Sequence, residues 1–174
     1  MKPTVGPLLN ERGEQLHGMD NTCEELNHYF ASVFTKDDTS ALSVSYLQED
    51  SIPQLFQINI TYENVQEYLT KLRSDKAAGT DDLSPRLLKE IAENIVEPLT
   101  IIFRKSLQEA TVSEDWKTAN IMPIFKKGQR QKVAKYRPIS LTSVLCKIME
   151  AVISDAIVNH LETNKLITDT QHDF

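Results

Sequence analysis

Residues 116–141 read W-K-T-A-N-I-M-P-I-F-K-K-G-Q-R-Q-K-V-A-K-Y-R-P-I-S-L, and this stretch predicts the central structural feature of the chain. The run from Ala119 to Phe125 is short and apolar, as is typical of a buried strand. Pro123 places that strand at an edge or a bulge, because proline cannot donate to the ladder. A polar loop follows, and Tyr136 to Leu141 is again short and rich in apolar residues. The pattern predicts a β-hairpin with a flexible loop at its tip.

The same stretch is strongly basic on a chain that is acidic as a whole. The formal charge of the protein is −6, yet no Asp or Glu lies between Lys117 and Met149. Eight cations fall in that window: Lys117, Lys126, Lys127, Arg130, Lys132, Lys135, Arg137 and Lys147. A hairpin tip of this kind can hold phosphate groups, Arg by its planar fork and Lys as a mobile point charge. The alternative is a solvated basic loop that only keeps the chain in solution.

Four motifs follow one another along about the last two thirds of the chain. They are K-A-A-G-T-D-D-L-S-P-R-L-L-K-E, N-I-M-P-I-F-K-K-G, Y-R-P-I-S-L-T-S-V-L-C-K-I-M-E and L-I-T-D-T-Q-H-D-F. In this order they resemble the fingers region of the reverse transcriptases of non-LTR retrotransposons, of the LINE or Jockey-like kind. Asp82 and Asp173 stand where that family usually has Gly, and Asp tolerates a positive φ less well than Gly does. Both departures suggest a decayed copy.

The resemblance implies which residues contact the substrates. In the family, a Lys at the end of the first hairpin strand and an Arg at the start of the second contact the incoming triphosphate. These are Lys126 or Lys127 and Arg137 here, with Lys127 and Arg137 as the favoured pair. The neighbouring cations would face the template backbone, where contacts are independent of sequence and weaken with salt. They are Arg130, Lys132 and Lys135. The implied partners are an RNA template, a DNA primer and a deoxynucleotide (dNTP).

The resemblance also implies a limit on the chemistry. Templated nucleotidyl transfer needs two divalent ions held by carboxylates, and in this family the carboxylates come from palm motifs, which include Tyr-x-Asp-Asp. No Tyr-x-Asp-Asp occurs in the 174 residues, and the palm motifs are expected beyond Phe174. Asp81 and Asp82 after Gly79 are interpreted as a turn leading into a helix cap rather than as a metal loop. We therefore expect no catalytic residue and no bound metal in this chain, with Mg²⁺ only in the complete enzyme.

Composition sets the remaining bounds. A hydrophobic content of 40% with 25% charged residues is ordinary for a soluble globular chain. Cys23 and Cys146 are far apart and belong to no C-x-x-C motif, so neither a disulfide framework nor a zinc site is indicated. The sequence has no signal-peptide pattern and no run of about 20 apolar residues that could span a bilayer. We expect an intracellular protein, cytoplasmic or nuclear, with no membrane partner.

Apolar spacing and cap residues predict the elements around the hairpin. The first predicted elements are a helix from Asn21 to about Thr35, capped by Asp20, Asn21 or Thr22, and a strand from Leu55 to Ile60. Next come a helix capped by Thr61 and ending near Ser74, and a helix starting at Ser84-Pro85. The last two are a helix from Glu97 or Pro98 to about Ala110 and a long helix from Thr142 or Ser143 to about Asn164. Trp116 is interpreted as an anchor that closes a core, and His160 as a packed histidine rather than a ligand.

Together these elements predict an α+β fold, mostly helical, in which one basic β-hairpin packs on amphipathic helices as a fragment of the fingers of a right-hand polymerase. Residues 1–58 are predicted to be an N-terminal extension and linker with one short helix. Within them, Met1 to Gly18 are predicted to be mobile and Lys36 to Gln54 to be linker. Residues 59–174 are predicted to be a partial reverse transcriptase domain without its palm. The alternatives are a non-catalytic or decayed nucleic-acid-binding remnant, and a helical interaction domain whose basic loop is incidental.

Overall fold

The computed structural model describes residues 5–10, 12–34 and 53–167. Its helices and strands are α1 (Met19–Ser32), α2 (Tyr62–Lys71), α3 (Pro85–Glu90), α4 (Ala92–Gln108), β1 (Ala119–Phe125), β2 (Tyr136–Thr142) and α5 (Val144–Thr163). The predicted α+β class with one antiparallel hairpin is confirmed. Most of the predicted linker, the end of the predicted first helix at Thr35 and the departure at Asp173 lie outside the described residues.

The described residues divide into two compact units by their packing. The tip unit consists of residues 5–10, 12–34 and Ile121–Ser140. The helical unit consists of residues 53–120 and 141–167. Each has its own apolar core. This division rests on packing alone, and the domain boundary near residue 58 stays a prediction.

The core of the helical unit is built by α2, α4 and α5. Its most enclosed side chains, all with less than 2% of their surface exposed, are Ile60, Val65, Leu69, Val96 and Phe103, and Leu88, Val144, Ile148 and Val152 are nearly as buried. The three predicted cap residues are confirmed, because Thr61, Ser84 and Ser143 each accept a hydrogen bond from a backbone N–H in the first turn of their helix. The predicted anchor is also confirmed, since Trp116 packs on this core with its ring edge-on to Phe103, at 5.7 Å between centroids.

The prediction that Pro98 separates two helices is wrong. The break comes at Ile91, between α3 and α4, and Pro98 lies inside α4. Proline there removes one backbone hydrogen bond of the second turn. Val96 and Leu99, on either side of it, are both buried in the core. Their packing keeps the helix continuous where the local signal favoured a junction.

The predicted strand from Leu55 to Ile60 is also wrong. These residues form no strand in the described chain, and Phe56 is 88% exposed. Only Ile60 enters the core, and Arg104 on α4 fixes it by donating from Nε to the Ile60 carbonyl oxygen at 2.6 Å. A strand needs a partner for its backbone groups, and among the described residues this segment has none.

The tip unit corrects two further predictions. Helix α1 begins after Gly18, which adopts a positive φ of 89°, so the predicted caps Asp20, Asn21 and Thr22 lie inside the helix. The described part of the predicted mobile start, residues 5–10 and 12–18, is packed instead. Leu8 is completely buried against Leu26 and Phe30 of α1, and Leu9 pairs with Gln15 in an antiparallel bridge. The few apolar side chains of this Gly- and Pro-rich segment follow neither helical nor alternating spacing, which is why the sequence did not indicate this packing.

Candidate nucleic-acid interface

The two strands of the hairpin pair in a register that fixes which residues share a face. Both have seven residues, and Lys126 N donates to Lys135 O at 2.9 Å just beyond their ends. Phe125 therefore lies opposite Tyr136, as their ring centroid distance of 5.6 Å also shows. Because side chains alternate along a strand, Lys126 and Arg137 lie on the face opposite to this aromatic pair.

The same register explains how the hairpin accommodates two prolines. Pro123 lies opposite Pro138, one pair beyond Ile124 and Arg137. In an antiparallel ladder, hydrogen-bonded pairs alternate with pairs that have no cross-strand hydrogen bond. Lys126 and Lys135 are a hydrogen-bonded pair, and the proline pair lies three pairs away, so it falls at a position without such bonds. Neither missing N–H therefore costs a bond within the ladder. The prediction that Pro123 lies in an edge strand is confirmed, since both strands of a two-stranded sheet are edges.

The loop at the tip is anchored rather than freely flexible. Gly128 turns the chain with a φ of 94°, and Val133–Lys135 form one 3₁₀ turn. Val133 is 7% exposed and belongs to the core of the tip unit. Sequence reasoning missed this residue. The available signal was that Val133 is the one branched aliphatic side chain in an otherwise polar and basic loop.

Among the hairpin cations, Arg130 is held by both an aromatic contact and a backbone hydrogen bond. Its Cζ lies 4.8 Å from the centroid of the Phe125 ring, within the range of a cation–π contact. The Tyr136 hydroxyl donates to the Arg130 carbonyl oxygen at 2.9 Å. The guanidinium thus rests on one aromatic ring of the hairpin while its backbone is tied to the other.

All six predicted contact residues lie in the tip unit and all are exposed: Lys126, Lys127, Arg130, Lys132, Lys135 and Arg137. The ion pairs among the described residues join other side chains, and every one lies in the helical unit. Lys117, counted in the same basic window, is one of these, because it pairs with Glu114. Among the described residues, therefore, no acidic side chain pairs with the hairpin cations, whereas the charge of Lys117 is partly offset by Glu114.

The paired aspartates lie at a turn that leads to the Ser84 cap of α3, as the sequence predicts. Asp81 accepts from Leu83 N at 3.1 Å and from Ser143 Oγ at 2.6 Å, so both of its oxygens are used within the helical unit. Asp82 has a φ of 56°, which is a conformation that favours Gly. The described part of the chain contains no group of three or more side chains placed to hold a metal ion.

Cys146 and His160 both lie on α5, and each has a polar neighbour among the described residues. Both cysteines are free, and burial together with the nearby Glu150 raises the pKa of the Cys146 thiol to about 11. A pKa raised in this direction favours the protonated thiol at neutral pH. One ring nitrogen of the half-buried His160, Nε2, lies 3.0 Å from the Pro53 carbonyl oxygen, consistent with a packed histidine. Among the described helices, none is long and apolar enough to cross a bilayer.

Comparison with known proteins shows that the chain is similar in sequence to part of several transposon polymerases. It is 30% identical over 147 residues to the RNA-directed DNA polymerase from mobile element jockey of Drosophila melanogaster, an alignment of 81% of this chain and 16% of that protein. It is 28% identical over 175 residues to the "Probable RNA-directed DNA polymerase from transposon BS" of the same species, covering 97% of this chain and 18% of the relative. A further match, 24% identical over 174 residues, is to the corresponding protein of transposon X-element. No family model matches.

The chain spans less than a fifth of the length of these curated relatives. Within that part, the similarity extends over most of its residues. The resemblance inferred from the hairpin motifs is thereby confirmed. The chain is related to one segment of the RNA-directed DNA polymerases of jockey-like non-LTR retrotransposons.

Proposed function

We propose that this chain is the phosphate-binding part, the fingers, of a reverse transcriptase-like polymerase. It would bind an RNA template with its DNA primer and the triphosphate of the incoming nucleotide. The observation that carries the proposal is the set of six exposed hairpin cations, none of which forms an ion pair with a described residue. The similarity to transposon polymerases supports the choice of nucleic acid as the anion.

The register of the hairpin supports a division of roles among these cations. Lys126 and Arg137 share one face of the strands, so we assign the triphosphate contact to these two residues, with Lys127 beside them at the turn. Arg137 would bind two phosphate oxygens through its fork, and the lysines would act as point charges. Arg130, Lys132 and Lys135 belong to the anchored loop and are assigned to the template backbone.

We assign binding and positioning, and no bond-making step, to the described residues. Nucleotidyl transfer would need metal ions held by carboxylates, and the aspartates nearest in pattern, Asp81 and Asp82, occupy a turn in the helical unit. For this polypeptide by itself, we expect salt-sensitive binding of template–primer without primer extension.

The test is binding of a labelled RNA–DNA template–primer by fluorescence anisotropy across a series of salt concentrations. Each cation that contacts a duplex phosphate contributes about 0.9 to the slope of log K against log salt. The double variant Lys132→Ala with Lys135→Ala, two exposed residues assigned to the template backbone, should therefore bind more weakly and lower the slope by about 2. A matched control is Lys71→Ala with Lys105→Ala, which removes the same charge from α2 and α4 of the helical unit.

Equal binding by the parent and the hairpin variant would refute the assignment, as would equal losses in the hairpin and control variants. No binding at physiological salt would instead favour a helical interaction domain. A decayed remnant is a second candidate, which the positive φ of Asp82 favours. Exchanging this segment into the jockey polymerase separates the two, because a decayed segment should abolish primer extension and a competent one should support it.

A further inference from the structure

The N-terminal residues of the tip unit are in direct contact with the basic loop. Leu9 N donates to the Gln131 carbonyl oxygen at 2.9 Å. Leu8 is completely enclosed, in one cluster with Val133 from the loop and Phe30 from α1. A segment placed more than one hundred residues earlier in the chain thus supplies both a backbone bond and an apolar anchor to the loop.

The Tyr136 hydroxyl group connects the N-terminal segment to the basic loop. Tyr136 begins β2, is 5% exposed, and donates from its hydroxyl to the Arg130 carbonyl oxygen at 2.9 Å. The Tyr136 hydroxyl oxygen in turn accepts a longer bond of 3.4 Å from Gly6 N in the N-terminal segment. The Tyr136 ring meets Phe125 edge-on, and the Arg130 guanidinium lies over Phe125.

We propose that residues 5–10, 12–16 and α1 form a built-in support for the basic loop, and that the Tyr136 hydroxyl is the positioning group that holds Arg130 for contact with nucleic-acid phosphate. The inference rests on the proposed function. Its physical basis is that a loop held in its binding shape loses less conformational freedom when it binds. Tyr136 is a positioning residue and makes no contact with the ligand, because its hydroxyl is buried and already occupied.

The test is Tyr136→Phe, which removes one oxygen atom and keeps the ring against Phe125. We expect the affinity for the RNA–DNA template–primer to fall about five-fold, the factor that corresponds to one ordinary hydrogen bond. The slope of log K against log salt should also become shallower, because a less ordered Arg130 contacts phosphate less often. Tyr62→Phe is the matched control, since Tyr62 is an exposed tyrosine on α2 of the helical unit.

A second measurement reads the position of Arg130 without any ligand. A guanidinium stacked on a ring has side-chain NMR resonances displaced by the ring current, and in Tyr136→Phe these should move towards those of an unstructured Arg. Unchanged affinity or an unmoved Arg130 signal in Tyr136→Phe would overturn the inference. So would an equal loss of affinity in Tyr62→Phe.

The proposed function is judged separately from this inference. If Lys132→Ala with Lys135→Ala lowers the affinity for template–primer while Tyr136→Phe does not, the inference fails and the proposed function stands. A parent chain that binds no template–primer overturns the proposed function, and with it the role assigned to the support.

Discussion

Gly79 offers the sharpest test of how the helical unit is held together. A Cβ built at this position would lie 2.4 Å from the Thr142 carbonyl oxygen and 2.6 Å from both Ser143 N and Thr142 C. All three neighbours are backbone atoms, so no side chain can swing aside. The conformation is not the obstacle, because Gly79 is not among the residues with positive φ. The loop must approach the start of α5 this closely for Asp81 to accept its bond from Ser143.

We therefore expect Gly79→Ala to lower the free energy of unfolding by about 3 kcal/mol, at the upper end of what overpacking usually costs. Trp116 is the single tryptophan of the chain and packs on the core of the helical unit, so its fluorescence reports the unfolding of that unit. With a urea dependence of about 2 kcal/mol per M, the midpoint should fall by about 1.5 M.

Gly6→Ala is the matched control for this substitution. A Cβ at Gly6 would meet Arg130 Cβ at 3.6 Å and the Tyr136 hydroxyl at 3.9 Å, which are ordinary contact distances. Its free energy of unfolding, followed by circular dichroism, should stay within about 0.5 kcal/mol of the parent value or rise slightly, because Ala restricts the unfolded chain. A Gly79→Ala protein as stable as its parent would refute the close approach of this loop to α5.

Three other changes test the same unit. Asp82→Gly should raise its unfolding free energy by about 0.5–1 kcal/mol, measured by Trp116 fluorescence, because Asp82 has a φ of 56°; a destabilised variant would contradict the assigned backbone strain. Asp81→Ala should cost about 2 kcal/mol, since it leaves the fully buried Ser143 hydroxyl without its charged acceptor; an effect below about 0.5 kcal/mol would argue against that bond. The hydrogen bond from the Tyr68 hydroxyl to Asp155 raises the pKa of Tyr68 from 10.0 to about 12. The contribution of this bond to the free energy of unfolding is therefore complete below pH 10 and is lost as the pH rises through 12. An absorbance titration of the parent should accordingly show one tyrosine ionising near pH 12 that is missing in Tyr68→Phe, and Tyr68→Phe should weaken the loss of stability between those pH values.

Much of this protein could be predicted from short-range signals. The bounds of β1, the three cap residues and the long last helix were read from neighbouring residues, because a cap or an alternating strand is defined within a few positions. The hairpin motifs also identified the family, and the six candidate contact residues were recognised from charge and motif together. The backbone strain suspected at Asp82 was visible for the same reason: a residue type out of place in a turn is a local feature.

Other features depended on partners far away in the sequence. Leu8 and Val133 look unremarkable in their own segments and become core residues only when they meet each other and α1. Pro98 looked like a helix boundary, but buried neighbours on both sides keep α4 continuous. Residues 55–60 have the composition of a strand, yet no strand in the described chain pairs with them.

The sequence by itself determined that a basic hairpin exists, which family it resembles and where α2, α3 and α5 start, because those properties are set by charge, spacing and local capping. Only the tertiary structure decided which face Lys126 and Arg137 share, that Arg130 rests on Phe125, and that the N-terminal residues support the loop. These follow from strand register and burial, and both are set by contacts between segments that lie far apart along the chain.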